Sequence, residues 1–264
     1  MYNLCKYYIS NIIISQFYMR ERNETGFAEI GDIRRKIISG NIGPDAFRKE
    51  FGELYEKYAG EGTLGYDELD SAVNMLLQIG KLQIPTAPRE RGSDNLVYEP
   101  TPARLIYDMI IRSRMNEHDV LYDIGAGIGR VAVLANLLSG ARANAVEYEP
   151  VYCEKAEAIA RGLNLGPEKV NVIQGDARDV DYSEGTVFYL FNPFGGKTLE
   201  QVIEKLRQVA EKKNITICAL GPCTVRFAQE AWLKKVEDVG GTDGKNMKSP
   251  MPAYDGRVTI YKSV

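Results

Sequence analysis

The chain has 264 residues and a mass of 29.5 kDa, and 44% of its residues are apolar and 26% charged. This composition is ordinary for globular proteins and excludes wholesale disorder. The net charge of −3 is far from the basic balance of proteins that hold nucleic acid mainly through phosphates, and a single histidine, His118, excludes a histidine-rich metal site.

Residues 1–92 contain helical patterns only, and we interpret them as an all-helical N-terminal domain. The apolar run in residues 1–20 is broken by polar residues, which favours a packed helix over a membrane span or a cleaved signal. Docking to a membrane surface or a dimer contact is the alternative. Amphipathic helices are predicted in residues 27–40, 43–60 and 65–82. A Pro- and Gly-containing linker follows in residues 84–95.

The four cysteines do not form a CxxC pair, so a structural zinc site is not expected. Four cysteines in a chain of this length do not make a disulfide framework. We therefore expect reduced core cysteines in a cytoplasmic protein.

After the linker, short apolar strands alternate with helices, which predicts a second domain over residues 93–264. Alternation with short connections favours a Rossmann-like, mostly parallel sheet with helices on both faces. Residues 256–264 have strand composition and are predicted to form an antiparallel edge strand. Helices are predicted for residues 101–115, with Thr101 as N-cap and Pro102 at the first helical position, and for residues 224–239.

The first of these strands ends in a glycine loop, Asp123-Ile-Gly125-Ala-Gly127-Ile-Gly129-Arg130. Open parallel sheets bind ligands beyond the carboxyl ends of their strands. A dinucleotide-binding loop would carry its third glycine where Arg130 stands, and the Asp123 carboxylate would repel a pyrophosphate. The loop therefore favours a cationic nucleoside without phosphate, such as S-adenosyl-L-methionine.

The D-x-G-x-G-x-G loop, followed by an acidic residue at the end of the next strand, resembles the class I S-adenosylmethionine-dependent methyltransferases. The resemblance covers about residues 96–220. It implies S-adenosyl-L-methionine as cofactor, held by Asp123, Gly125, Gly127, Gly129, Glu147, Tyr148, Asp176, Ala177 and Asn192. The carboxylate of Glu147 can accept both ribose hydroxyls, as in NAD-binding folds. The resemblance places Tyr148 and Asp176 beside the adenine.

The fourth strand runs into Asn192-Pro193-Phe194, where the family places the group that meets the methyl acceptor. The Asn192 side-chain carbonyl and the main-chain carbonyl before Pro193 can orient an amine and stabilise charge developing on it. Phe194 can stack on a flat substrate or form a wall around an alkyl amine. The segment is similar to the D/N-P-P-Y/F motif of methyltransferases that act on planar amino groups, but it has one proline. The alternative is a simple strand-to-helix turn.

Tyr98-Glu99-Pro100-Thr101-Pro102 resembles the segment with which archaeal and nucleosomal seven-strand lysine methyltransferases close over the methionine end of the cofactor. This resemblance implies that Tyr98 and Thr101 contact the cofactor and that the acceptor is a nitrogen, with a protein lysine favoured. The N-terminal helices would then act as a lid or select the acceptor. A small molecule or a nucleic-acid base is an alternative acceptor. An NAD-linked oxidoreductase and a non-catalytic cofactor-binding module are alternative functions; neither a metal nor a membrane partner is expected.

Overall fold

The computed structural model describes residues 28–59, 68–81, 99–240 and 256–264. The helix predicted in residues 1–20, the linker at residues 84–95 and Tyr98 lie outside the described residues.

Within the described residues, seven strands form one sheet, which confirms the mostly parallel sheet that the sequence predicts for the second domain. They are β1 (Val120–Ile124), β2 (Arg142–Glu147), β3 (Val170–Gln174), β4 (Val187–Phe191), β5 (Thr216–Leu220), β6 (Leu233–Gly240) and β7 (Arg257–Ser263). Their order is β3-β2-β1-β4-β5-β7-β6, with β1 to β5 parallel and β7 antiparallel to both its neighbours. The predicted antiparallel strand is confirmed, and β6 pairs with its outer side as the edge strand. The strand order reverses direction at β1, which places the glycine loop at the switch point of the sheet.

Eight α-helices lie within the described ranges. They are α1 (Ala28–Ile38), α2 (Pro44–Tyr58), α3 (Glu68–Leu76), α4 (Ala103–Ser113), α5 (Arg130–Ser139), α6 (Pro150–Gly162), α7 (Gly196–Ala210) and α8 (Cys223–Phe227). Residues of α1 to α6 share a hydrophobic core with one face of the sheet, and residues of α7 and α8 pack with the other. The predicted arrangement of helices on both faces is confirmed.

Arginines of the N-terminal helices bind the carbonyl ends of helices elsewhere in the chain. Arg34 on α1 donates to the carbonyl oxygens of Leu76 and Gly162, each at 2.6 Å. Arg48 on α2 donates to the Leu138 carbonyl at 2.8 Å. Cations at helix C-termini satisfy carbonyl groups that lack an intrahelical partner. The helices α1 to α3 are therefore joined to the sheet domain by a common core and by these hydrogen bonds.

The helix predicted for residues 224–239 is confirmed only over residues 224–227 and is wrong beyond them. The short helix α8 ends at Phe227, and Leu233–Gly240 is strand β6, paired antiparallel with β7. Pairing with a strand more than 15 residues later in the chain overrides the local helical pattern. Trp232, which the sequence placed on this helix, lies just before β6 and is half-buried.

The cysteines Cys153, Cys218 and Cys223 are buried and free, as expected for reduced core residues. Within the described ranges, none of the helices combines the length and apolar character needed to cross a membrane.

Candidate active site

The glycine loop between β1 and α5 turns back onto β2. Gly125, Gly127 and Gly129 have φ values of 79°, 55° and 75°, in the left-handed region that glycine adopts without steric cost. The N–H groups of Gly125 and Ala126 both donate to the Val146 carbonyl at 2.9 Å. The loop therefore presents its remaining backbone at the carboxyl edge of the sheet.

Pro193, at the end of β4, packs directly on Gly125. A Cβ atom built on Gly125 would lie 2.3 Å from the Pro193 Cβ. Only a glycine therefore fits at this position, and the structure brings the glycine loop together with the Asn192-Pro193 segment, as the sequence predicts.

Glu147, at the end of β2, supports the glycine loop through its carboxylate. Its Oε2 accepts the Gly127 N–H at 2.8 Å, and its Oε1 accepts the Glu149 N–H at 2.9 Å. Burial raises the pKa of Glu147, although these backbone donors oppose the shift. A carboxylate has about four acceptor positions, and the backbone N–H groups of Gly127, Tyr148 and Glu149 use three of them, so one remains for a hydroxyl of a bound ligand. This arrangement fits the ribose-binding role implied for Glu147.

Asp123, at the end of β1, is buried, with 2% of its surface exposed. Its Oδ2 has no hydrogen-bond partner. Burial raises the pKa of Asp123 to about 8, and the nearby Glu147 charge adds to the shift. A buried carboxylate oxygen without a partner beside a second carboxylate fits a cationic ligand and disfavours a phosphate.

The raised pKa predicts that Asp123 makes the folded protein less stable as the pH rises. The pKa in the fold lies above the ordinary value of 3.8. The folded chain therefore holds a proton that the unfolded chain has lost, and stability falls between these two values. We expect the free energy of unfolding of Asp123→Asn, relative to the wild type, to rise by about 4 kcal/mol between pH 5 and pH 9, with most of the change below pH 8. Urea unfolding at pH 5, 7 and 9 measures this difference.

Asp176→Asn is the matched control for this pH experiment. The Arg178 guanidinium holds the pKa of Asp176 below its usual value, so Asp176 titrates below pH 5. The free energy of unfolding of Asp176→Asn should therefore differ from that of the wild type by the same amount at pH 5, 7 and 9. A difference for Asp123→Asn that does not change with pH would contradict the raised pKa of Asp123.

Arg130, the residue after the last glycine of the loop, is bound by helix α3. Arg130 is 3% exposed; its Nη2 forms an ion pair with Asp70, and its Nη1 donates to Asn74 Oδ1 at 2.9 Å. Both terminal nitrogens are thus bound by α3. Because both terminal nitrogens are already bound, this guanidinium is not available to bind a pyrophosphate. This argues against the alternative of a loop that binds a dinucleotide such as NAD.

The residues expected around the adenine lie at the ends of β2 and β3. The Gly175 N–H donates to the Glu147 carbonyl at 2.9 Å and joins the two strand ends. Tyr148 is 57% exposed, so its ring is accessible to a ligand. Ala177 is buried, and its carbonyl accepts a hydrogen bond from Tyr182 at 2.8 Å. Asp176 is held by Arg178, which donates from Nε at 2.9 Å and from Nη2 at 2.6 Å.

Asn192 has a φ of 41°, which is uncommon for a residue other than glycine, although asparagine tolerates it better than most. Gly221, after β5, approaches it closely, since a Cβ on Gly221 would lie 3.2 Å from the Asn192 Cβ. Asn192 and Pro193 are half-buried at the sheet edge, where the sequence predicts the acceptor site.

Phe194 is not presented at this edge, contrary to the role predicted for it. Its side chain is 6% exposed and belongs to the hydrophobic core on the α7 face of the sheet. The chain turns after Pro193 to begin α7, and the hydrophobic effect draws the ring inward. Phe194 therefore does not form a wall for a substrate in this structure.

Thr101 is not the N-cap that the sequence predicts. Helix α4 begins at Ala103 with Pro102 in the N-cap position, and the Ala103 N–H is bound instead by Asp70 Oδ1 at 2.9 Å. The Thr101 hydroxyl is buried and lies 2.8 Å from the Tyr189 hydroxyl on β4. Thr101 thus links the segment before α4 to β4, the strand that precedes Asn192.

His118 lies in an exposed turn before β1, at the opposite end of that strand from the glycine loop. Within the described ranges there is no cluster of three or more His, Cys, Asp or Glu side chains that could hold a metal ion.

The sequence interpretation missed Asp70 and Asn74 as partners of the glycine loop. They lie four residues apart on α3, and Asp70 is three residues before the buried Val73. A carboxylate beside the apolar face of an amphipathic helix was the available signal, because such a group needs a buried partner. The partner is the only charged residue of the apolar helix α5, Arg130.

No family model matches the chain. A protein-lysine N-methyltransferase of Saccharolobus islandicus (strain REY15A) is 29% identical over 118 residues, which are 44% of this chain and 68% of that protein. An RNA methyltransferase of Salinibacter ruber, solved with S-adenosyl-L-homocysteine, is similar with a TM-score of 0.44 and 26% identity, over 62% of this chain and 92% of that one. Precorrin-6y C5,15-methyltransferase of Geobacter metallireducens GS-15 gives a TM-score of 0.44 and 19% identity, over 64% and 93%.

Proposed function

We propose that this chain, which has the Rossmann-like fold of the class I methyltransferases, transfers a methyl group from S-adenosyl-L-methionine to a nitrogen atom. The observation that carries the proposal is the convergence of the β1, β2 and β4 ends. Glu147 binds the N–H of Gly127, and Pro193 packs on Gly125. The similarity to a protein-lysine N-methyltransferase supports a methyltransferase activity.

The cofactor would be held by the glycine loop and by two carboxylates. The backbone of Gly125 to Gly129 would approach it without side chains in the way. Glu147 would accept a ribose hydroxyl, and Asp123, whose pKa is raised to about 8, would lose its proton when a cation binds beside it. Tyr148 and Asp176 would flank the adenine. When bound, S-adenosyl-L-methionine supplies a methyl group activated by its sulfonium charge.

Asn192 would orient the acceptor. Its side-chain carbonyl and its main-chain carbonyl, which precedes Pro193, are two acceptors on one residue. Two acceptors that bind the hydrogens of one amine direct its lone pair and stabilise positive charge developing on nitrogen. A lysine ammonium must first lose a proton to present that lone pair.

A protein lysine is the acceptor that the observations favour. The curated relative carries that substrate in its name. The segment after β4 has one proline where the motif of methyltransferases that act on planar amino groups has two, which disfavours a nucleic-acid base. The helical N-terminal domain would then select the protein substrate.

Transfer of labelled methyl groups into a cell lysate tests this proposal. The enzyme is incubated with methyl-labelled S-adenosyl-L-methionine and lysate, and the label is followed after protease or nuclease digestion. We expect protease-sensitive label that acid hydrolysis releases as N-methyl-lysine. Label released by nuclease, or found in small molecules, would exclude lysine as the acceptor. Absence of label from every fraction would contradict the enzymatic activity.

A further inference from the structure

Asp70 connects three separate parts of the chain through one buried carboxylate. It lies on α3 in the N-terminal helical domain, and its side chain is 6% exposed. Its Oδ1 accepts the Ala103 N–H, the first of helix α4, at 2.9 Å. The same oxygen is paired with Nη2 of Arg130, the first residue of α5. Both segments that it binds belong to the proposed cofactor site.

The segment held through Arg130 is the end of the glycine loop. Arg130 follows Gly129 directly, and its guanidinium is bound on one nitrogen by Asp70 and on the other by Asn74. Asp70 and Asn74 are one helical turn apart on α3, so together they fix the position of the guanidinium. The first turn of α5 is thereby held against the N-terminal domain.

The segment held through Ala103 is the one that follows Thr101. Asp70 takes the place of a local N-cap for α4. Thr101 in turn bonds to Tyr189 on β4, three residues before Asn192. The position of this segment is therefore set at one end by the sheet and at the other by α3.

Stability of the helices alone does not account for this arrangement. A cation at a helix N-terminus interacts unfavourably with the helix dipole. In a buried ion pair, the electrostatic attraction only partly offsets the free-energy cost of removing both charges from water. The pair instead holds the end of the glycine loop and the start of α4 against α3.

We propose that Asp70 is a positioning residue for the cofactor site, acting through Arg130 on the glycine loop. The N-terminal domain then sets cofactor affinity, in addition to any role in selecting the acceptor. This inference rests on the proposed function. Asp70 itself does not touch the cofactor.

Asp70→Asn tests the inference, because it removes the charge facing Arg130 but keeps an oxygen to accept the Ala103 N–H. We expect the Kd for S-adenosyl-L-homocysteine, measured by calorimetry, to rise about tenfold, a usual size for coupling between elements. In the methylation assay the KM for S-adenosyl-L-methionine should rise in parallel, with kcat at saturating cofactor changed by less than about threefold.

Val73→Ala is the matched control. Val73 is 1% exposed on the same helix, so its truncation loosens α3 without removing a partner of Arg130. Stability of both variants is measured by urea unfolding. We expect the Kd of Val73→Ala to stay within about twofold of the wild type. If the two variants weaken binding equally at equal loss of stability, or if Asp70→Asn binds as the wild type does, the inference is wrong.

Asn74→Ala keeps the test decisive if Asp70→Asn does not fold. It removes only the hydrogen bond to Arg130 Nη1. We expect its Kd to rise about threefold, and an unchanged Kd would overturn the inference. Failure of the wild type to bind the cofactor would refute the proposed function itself. Normal binding by the wild type and by these variants would refute only the role of Asp70.

Discussion

Gly125→Ala is expected to raise the Kd for S-adenosyl-L-homocysteine at least about 100-fold. The new Cβ would lie 2.3 Å from the Pro193 Cβ, and the φ of 79° is unfavourable for alanine. Overpacking costs about 1–3 kcal/mol and the left-handed conformation about 1–2 kcal/mol. About 3 kcal/mol corresponds to a factor of more than 100 in binding. The loop and the Asn192-Pro193 segment must move apart, and both belong to the proposed site. Calorimetry measures the change.

Gly140→Ala is the control for backbone strain at Gly125. Gly140 has a φ of 77° and caps the opposite end of α5, where its Cβ would lie 3.1 Å from the Glu117 Cβ. This variant should lose stability but keep its Kd within about threefold of the wild type. A Gly125→Ala protein that folds and binds the cofactor normally would contradict the placement of the site.

Asn192→Ala is expected to lower kcat about 100-fold while leaving the Kd for S-adenosyl-L-homocysteine nearly unchanged. Removal of one preorganised group that stabilises developing charge typically has an effect of this size. The side-chain carbonyl of Asn192 is the acceptor that would bind the substrate amine. Steady-state methylation at saturating cofactor and acceptor gives kcat, and calorimetry gives the Kd.

Asn192→Gly separates the carbonyl from the backbone conformation. The φ of 41° strains alanine but not glycine. Both variants lack the side-chain carbonyl, so both should lose kcat to a similar extent. If Asn192→Gly turns over like the wild type, backbone strain explains the alanine result and Asn192 does not orient the acceptor.

The sheet and the glycine loop could be predicted because their signals are local. Each of β1 to β5 is a short apolar run between helices, and Gly125 and Gly127 sit in a loop whose backbone requires glycine. Glu147 was predicted because it ends its strand, and the ends of parallel strands meet at one edge. These predictions needed no knowledge of distant parts of the chain.

The remaining features depend on contacts between residues far apart in sequence. The sequence predicts a helix at β6 because nothing in its local sequence indicates that it pairs with β7. The burial of Phe194 follows from the packing of α7 on the sheet. The Asp70–Arg130 pair spans 60 residues. Periodicity shows which face of a helix is apolar. It does not show which charged residue of another helix will form an ion pair with a charged residue on that face.

Calorimetric titration of the wild-type protein with S-adenosyl-L-homocysteine and, separately, with NADH tests most directly whether a phosphate-free nucleoside binds at the glycine loop. We predict one site per chain for S-adenosyl-L-homocysteine, with a Kd that the Gly125→Ala variant raises at least about 100-fold, and no binding of NADH. Binding of NADH without binding of S-adenosyl-L-homocysteine would contradict the account.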